Sequence, residues 1–411
     1  MTFDRQEILP VRITYSLLFL AGFGTPTTDQ ERRTLTILLI YTLWTIFFGG
    51  ILIFIDAYYV WGSFEEMLYT AVNIMTVLIC GIKFISTVLQ RTRYENFLRL
   101  ARESLWKQAE SDDDKKVMEK CTKQALIFVC AFVMLAGGSG VLYILEAIYY
   151  NLVNDITNFT SVRERAFIMK LWCDWPFYEA PKFHLMFLVQ SFTIMHYGLL
   201  YCCFENFLVL TNIFLTGQFT ILKYRLEVLN SELTTGRIDD GRVGSSKDSL
   251  NTMSQEFKNC IKQHQFLIKA TQQLEELYTL KNLASIMAYS SMICLSGYQT
   301  MTPGNPLVRK IKYGIYVTGC LSQLFCFTFT CDELSLGSVS VSDGPYNSGW
   351  YGGNWSEKGR SLTKDLSIMI MRAQRPCRLT AGGFFNVTLN ILKSVLTTAF
   401  SYLTLIRQSA K

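Results

Sequence analysis

The sequence predicts an all-α membrane protein of seven transmembrane helices. The amino terminus is expected in the cytoplasm, the carboxyl terminus outside, and a helical anchor bundle on the cytoplasmic side. Three observations carry this. Half of the 411 residues are hydrophobic and only 18% are charged, against about 25% charged in a soluble average. The apolar residues gather into runs of the ~20 residues that a bilayer requires, at 34–60, 67–90, 124–150, 183–216, 276–302, 309–333 and 384–408. The connections then alternate in basic charge. Nine Lys and Arg fall in 91–123, nine in 217–281, six in 334–383 and four in 1–33. The opposite side has none in 61–66, four in 151–182, three in 303–312 and two at the carboxyl end. Cytoplasmic connections hold the excess of Lys and Arg, which sets the orientation.

Residues 1–33 read as a cytoplasmic segment whose short apolar run, 13–23, lies between Pro10 and Pro26. That run suits an interfacial helix better than a span or a cleavable leader. Residues 34–216 hold spans one to four. The fourth run is too long for a bilayer and is expected to continue as a helix into the cytosol. Residues 217–275 form a cytoplasmic extension, with a Gly/Ser-rich loop near 235–246 between helix-like, charge-rich flanks. Spans five and six occupy 276–333. Residues 334–383 make an anchor region with Trp350, Tyr351 and Trp355 and a helix over 357–375. Leu362, Leu366, Met369 and Ile370 share one face of that helix, and Pro376 and Gly382-Gly383 stop it.

The last segment, 384–411, is a helix with a polar stripe. Asn386, Asn390, Ser394, Thr397, Ser401, Thr404 and Gln408 recur at intervals of three and four, so they lie along one side of a helix. Lipid gives such groups no partner, so the stripe must face other helices or water. Small polar residues that cement a bundle would look the same as a pore lining.

Other functions find little support. Most cysteines lie in apolar runs, where thiols behave as small hydrophobes, and only Cys173 falls in an external connection. With three histidines and no CxxC or HExxH spacing, no metal site or cofactor is expected. No nucleophile–base pair or carboxylate pair suggests an enzyme. The net charge of +6 follows the membrane topology and does not indicate nucleic acid. A G-protein-coupled receptor would have its amino terminus outside, and the DRY-like and NPxxY patterns are absent. Asn158-Phe159-Thr160 is a glycosylation sequon in an external connection, although Asn354-Trp355-Ser356 also matches on the inner side.

The carboxyl third adds a resemblance. The string from Trp350 through Met371-Arg372-Ala373-Gln374-Arg375-Pro376, then Leu379-Thr380-Ala381-Gly382-Gly383-Phe384-Phe385, resembles the insect odorant receptor family. The ending over 394–405, with Ser401-Tyr402, continues the match. Related gustatory receptors share the topology, but their ending usually runs to Gln-Phe, where this chain has Gln408-Ser409. The resemblance implies a ligand-specific subunit of an odorant-gated, non-selective cation channel. Its partners would be the shared odorant co-receptor in a heterotetramer, membrane lipid and a small volatile ligand. Its place would be the plasma membrane of a sensory dendrite or cilium. It also implies that the last helix lines the pore through Asn390, Ser394, Thr397 and Ser401. The gate then falls at Leu405, with Gln408 and Ser409 just outside. Arg407 departs from a cation-conducting mouth and is expected to point away from the axis.

The same resemblance places the ligand in the outer half of spans two to six. The topology then selects Tyr69, Asn73 and Thr76 in span two and Gly140, Tyr143 and Ala147 in span three. Span four offers Phe187, Gln190, Ser191 and Ile194, span five Ile293, Ser296 and Tyr298, and span six Tyr316. Aromatic walls supply contact area, and an amide such as Asn73 or Gln190 could orient a polar ligand atom. Packing between helices would account for the same residues. Glu146, Glu205, Lys83 and Lys393 sit near span ends and are expected to reach an interface or snorkel. His184 and His196 are expected to be hydrogen-bonded helix residues.

Overall fold

The computed structural model describes residues 8–106, 111–156, 166–171, 178–235, 246–301, 307–347 and 357–409. Helix follows helix: α1 (Leu9–Leu20), α2 (Asp29–Tyr59), α3 (Phe64–Leu89), α4 (Arg91–Leu100), α5 (Asp112–Ile156), α6 (Lys182–Thr235), α7 (Ser246–Met301) and α8 (Leu307–Ser340). A short α9 (Asp343–Asn347) and α10 (Glu357–Ala373) precede a two-stranded hairpin, β1 (Thr380–Ala381) with β2 (Phe385–Asn386), and α11 (Leu389–Ser409) closes the chain.

Length separates two kinds of helix. α6 has 54 residues and α7 has 56, so each runs about 80 Å at about 1.5 Å per residue. A hydrocarbon core is only about 30 Å thick. Both therefore extend well beyond it at one end, here called the inner end. There α6 packs with α9 and α7 with α4 and the hairpin, while α10 lies against α8 and α9. The fourth span continues as one helix, as its excess length implies.

α6 is the axis of the bundle. Of its most apolar window 83% is buried, against 28% for α5 and 33% for α2. The outer helices instead leave large apolar side chains uncovered, such as Phe47 and Phe54 on α2 and Met134 on α5, as lipid contact allows. Among the described residues five helices are long and apolar enough to cross a membrane by composition alone: α2, α3, α5, α6 and α8. The other two expected spans lie in α7, which carries polar residues in its apolar half, and α11, with its polar stripe. α7 hides its polar residues against α3, α6, α8 and α11.

Local chemistry fixes the ends. Thr28 caps α2 by accepting the Glu31 N–H at 3.2 Å. Glu31 in turn accepts from the N–H and hydroxyl of Thr27, each at 3.0 Å, a reciprocal arrangement typical of helix starts. Those two bonds, the backbone one first, hold the Glu31 carboxyl down at about 2. α1 forms where the interfacial helix is expected, but one face is not at an interface at all. Val11, Tyr15 and Leu18 are buried in the main core, packed towards α6 and α5.

The last helix begins later than its composition suggests. Gly382 and Gly383 adopt φ of +62° and +74°, a region open to glycine at little cost. They turn the chain into the hairpin, where Val387 N–H bonds to Leu379 O at 2.9 Å. Residues 384–388 are thus outside the helix, and Asn386 leaves the polar stripe for a strand.

Two charges expected at interfaces are buried instead. Lys83 on α3 and Glu205 on α6 form an ion pair with side chains 1% and 5% exposed. Glu205 also accepts from Ser285 at 3.1 Å and Tyr289 at 3.0 Å on α7. Each charge finds its partner on a facing helix, which removes the need to snorkel. Glu146 on α5 pairs with Lys312 on α8 rather than reaching out alone. His196 meets its expectation, bonding to Thr42 Oγ1 at 2.9 Å.

Candidate ligand-binding site

Towards the outer end α3, α5, α6 and α8 separate around a narrow chamber of about 80 Å³. That is room for several water-sized groups. Each helix presents one face. α3 contributes Asn73 and Thr76, α5 Ser139, Gly140 and Tyr143, α6 Ile194, Tyr197 and Tyr201, and α8 Tyr316, Gly319, Cys320 and Gln323. The positions recur every three or four residues along each helix, with Gly140 beside Ser139 and Cys320 beside Gly319, the repeat that keeps side chains on one side. Small residues hold the walls at this separation. A Cβ on Gly140 would stand 3.0 Å from Met195 Sδ, and one on Gly198 3.1 Å from Ala136 O.

A wider vestibule of about 490 Å³ adjoins the chamber and shares Asn73, Thr76, Tyr143, Ile194 and Tyr197 with it. Tyr69, Ala147 and Asp56 line the vestibule, and so does the strap 166–171 between α5 and α6. Two cross-links separate the compartments. Tyr143 donates to Asn73 Oδ1 at 3.1 Å, and the hydroxyls of Thr76 and Tyr316 bond to each other. Lys312 lies over the rings of Tyr143 at 4.6 Å and Tyr69 at 4.9 Å.

The expected ligand residues divide. Asn73, Thr76, Gly140, Tyr143, Ile194 and Tyr316 line the chamber, and Tyr69 and Ala147 line the vestibule. Phe187, Gln190, Ser191, Ile293, Ser296 and Tyr298 line neither. The Gln190 amide is fully occupied by the strap, accepting from Met169 N–H at 2.9 Å and donating to Met169 O at 3.1 Å. Asn151 does the same for Ala166, at 2.7 and 2.9 Å. Both amides stand in for a neighbouring strand and pin the strap's backbone. Ser191 bonds to Phe187 O on its own helix, Phe187 packs beside the strap, and Ile293 belongs to the core.

Tyr197, Tyr201, Ser139 and Gln323 went unselected in the sequence. The signal was present, since Tyr197 and Tyr201 continue the face of Ile194, and Gln323 is an amide within an apolar run.

α11 has two faces. Val395 and Ala399 are buried in the core, and a Cβ on Gly297 of α7 would stand 2.8 Å from Leu403. Asn390, Ser394, Thr397, Ser401, Leu405 and Gln408 are all exposed on the other side. Ser394, Thr397, Ser401 and Thr404 donate their protons to carbonyls of their own helix. Each hydroxyl oxygen is left as an acceptor, which suits a hydrated cation. The Arg407 and Ser409 side chains and the Asn158 sequon lie outside the described residues. Among the described residues no group of His, Cys, Asp and Glu could hold a metal ion.

A helical, multi-pass membrane receptor with a chamber between its helices is the class this arrangement defines. The 7tm Odorant receptor family matches residues 63–400, and the chain belongs to that family, whose members are ligand-gated receptors rather than enzymes. Odorant receptor Or2 of Anopheles gambiae is 23% identical over 358 residues, 86% of this chain and 88% of that one. Odorant receptor 10 of Aedes albopictus is 24% identical with the same coverage. The solved structure of the olfactory receptor OR5 from Machilis hrabei in complex with eugenol superposes with a TM-score of 0.77 at 14% identity. It covers 97% of both chains. Without eugenol the TM-score is 0.72. Olfactory receptors of this kind have seven transmembrane helices, so α7 and α11 complete the seven.

Proposed function

We propose that this chain is the odorant-binding subunit of a non-selective cation channel formed with the shared odorant co-receptor as a heterotetramer. It would reside in the plasma membrane of a sensory dendrite or cilium, amino terminus inside. A small volatile enters through the vestibule and fills the chamber. α11 contributes Asn390, Ser394, Thr397 and Ser401 to the pore wall, with the gate at Leu405 and Gln408 and Ser409 beyond it.

The observation that carries this reading is that one helix touches both sites. Met292 Sδ on α7 lies 3.7 Å from the Thr76 hydroxyl and 3.5 Å from that of Tyr316, both on the chamber wall. Little more than a turn further along α7, Gly297 meets Leu403 of α11. A ligand that displaces Tyr316 therefore moves the helix on which the pore segment rests. It opens the channel only in so far as it binds the open arrangement more tightly than the closed one.

The test is odorant-evoked current in cells expressing the chain with the co-receptor. A Cβ at Gly319 would meet nothing within 4 Å, so Gly319→Val adds its bulk to the chamber. Expected is loss of response to every activating volatile, with surface expression unchanged. Responses identical to wild type would refute the chamber as the ligand site.

A further inference from the structure

We propose that Gln323 is the polar recognition residue of the chamber, and that the chamber is built for a small apolar molecule carrying one hydroxyl group. This rests on the reading of the chamber as the odorant site.

Gln323 lines the chamber, is 2% exposed, and its Oε1 has no hydrogen-bond partner. A buried amide left unbonded is costly, and native interiors rarely keep one without a reason. Its neighbours are different. Tyr143 is engaged with Asn73 and Thr76 with Tyr316. Tyr197 donates to the carbonyls of Thr45 and Ile46, and Tyr201 pairs with Cys320 Sγ at 3.5 Å. Ser139 bonds to Ala136 O on its own helix. These hydroxyls are already bonded within the protein, and among the described residues lining the chamber Gln323 Oε1 is the buried polar atom left without a partner.

Position supports the same role. Gln323 lies seven residues along α8 from Tyr316, two helical turns away from the partition with the vestibule. Gly319 lies between them on the same face with no atom within 4 Å of its Cβ direction. The groove thus stays clear along α8 as far as the amide. A molecule with an apolar body lying along Ile194, Ile315 and Leu135 brings its polar end to Gln323.

The amide chooses among polar ends. A carbonyl ligand only accepts, so it can use the amide N–H and leaves Oε1 unbonded. A hydroxyl donates to Oε1 and can also accept from the amide, so it satisfies both. A hydrocarbon does neither. The order of preference is alcohol or phenol, then ketone, then alkane of the same length.

Matched sets test this on cells expressing the chain with the co-receptor: hexanol, hexanone and hexane, and 1-phenylethanol, acetophenone and ethylbenzene. The hydroxyl member should activate at the lowest concentration in its set. Gln323→Met keeps side-chain size and removes the hydrogen bond. It should raise the half-maximal concentration of the hydroxyl member roughly tenfold and leave the hydrocarbon unchanged or slightly improved. The proposal is overturned by a Gln323→Met receptor that ranks each set as wild type does. It is also overturned if no hydroxyl member activates wild type better than its hydrocarbon match. Gly319→Val separates this failure from that of the chamber itself. If Gly319→Val silences responses while Gln323→Met alters no ranking, the chamber stands and the role of Gln323 falls. If Gly319→Val changes nothing, the chamber reading falls with it.

Discussion

At the inner end, α3, α6 and α7 meet around Lys83, Glu205, Ser285 and Tyr289, sealed by Phe23, Phe84, Tyr94, Phe204, Phe207 and Tyr278 in edge-to-face, tilted and stacked contact. At the outer end α3 and α6 face α5 and α8 instead, and a chamber remains between them. The sequence of both regions is aromatic with scattered polar groups, so composition does not separate them. The difference is in charge and space, since unpartnered polar atoms occur in both: Glu205 Oε2, Lys281 Nζ and the Tyr94 hydroxyl inside, Gln323 Oε1 beside the chamber outside. Inside, Glu205 Oε1 is shared among three partners on two other helices, and Lys281 lies over the rings of Tyr278 at 4.6 Å and Tyr94 at 5.1 Å. Outside, the tyrosine hydroxyls bond across the walls and one amide acceptor stays open. The first pattern joins helices rigidly, and the second leaves a space whose contents can change.

This contrast can be broken most severely at Glu205. Glu205→Gln should destabilise the protein by roughly 3–5 kcal/mol, because the buried Lys83 ammonium loses its carboxylate. A large drop in the thermal midpoint of detergent-purified protein checks this. A drop no larger than that of an exposed substitution would mean that the inner junction is not what holds these helices together.

The next effect is at the inner end of α7. Burial, with Arg372 adding a smaller push, lowers His264 from 6.5 to about 4. Between those values the unfolded chain binds the proton and the folded one does not, so stability rises with pH through that window. Lowering the pH from 6.5 to 4 should cost on the order of 2 kcal/mol after screening by water. His264→Gln should flatten the pH dependence of the thermal midpoint over that window.

Smaller again is the outer strap. Gln190→Ala releases the Met169 backbone and should cost about 1–3 kcal/mol locally. The expected result is faster deuterium exchange at 166–171 and a few-fold change in odorant sensitivity, with the inner helices unaffected. Exchange unchanged at the strap would show that Asn151 and Tyr178, which donates to Leu171 O at 2.9 Å, suffice. Last, Lys115→Ala removes an exposed pair with Asp112 at 2.9 Å and should change stability by less than about 0.5 kcal/mol.

The sequence by itself determined the number of spans, the fourth helix that outruns the bilayer, the break at Pro376 and the polar face of the last helix. Each follows from a local rule: the length of an apolar run, the 3.6-residue period, or the restriction before proline. Given the outer-half placement that the family resemblance implies, it also reached Asn73, Thr76, Tyr143 and Tyr316, which line the chamber. Only the tertiary structure decided what each polar residue meets. Gln190 and Gln323 are the same residue type in similar apolar runs, yet one is occupied by a strap distant in sequence and the other opens into a cavity. Lys83 and Glu205 are 122 positions apart, and no periodicity reveals that they pair. Hydrogen bonds and cavities are properties of two surfaces brought together, whereas a sequence specifies each surface singly.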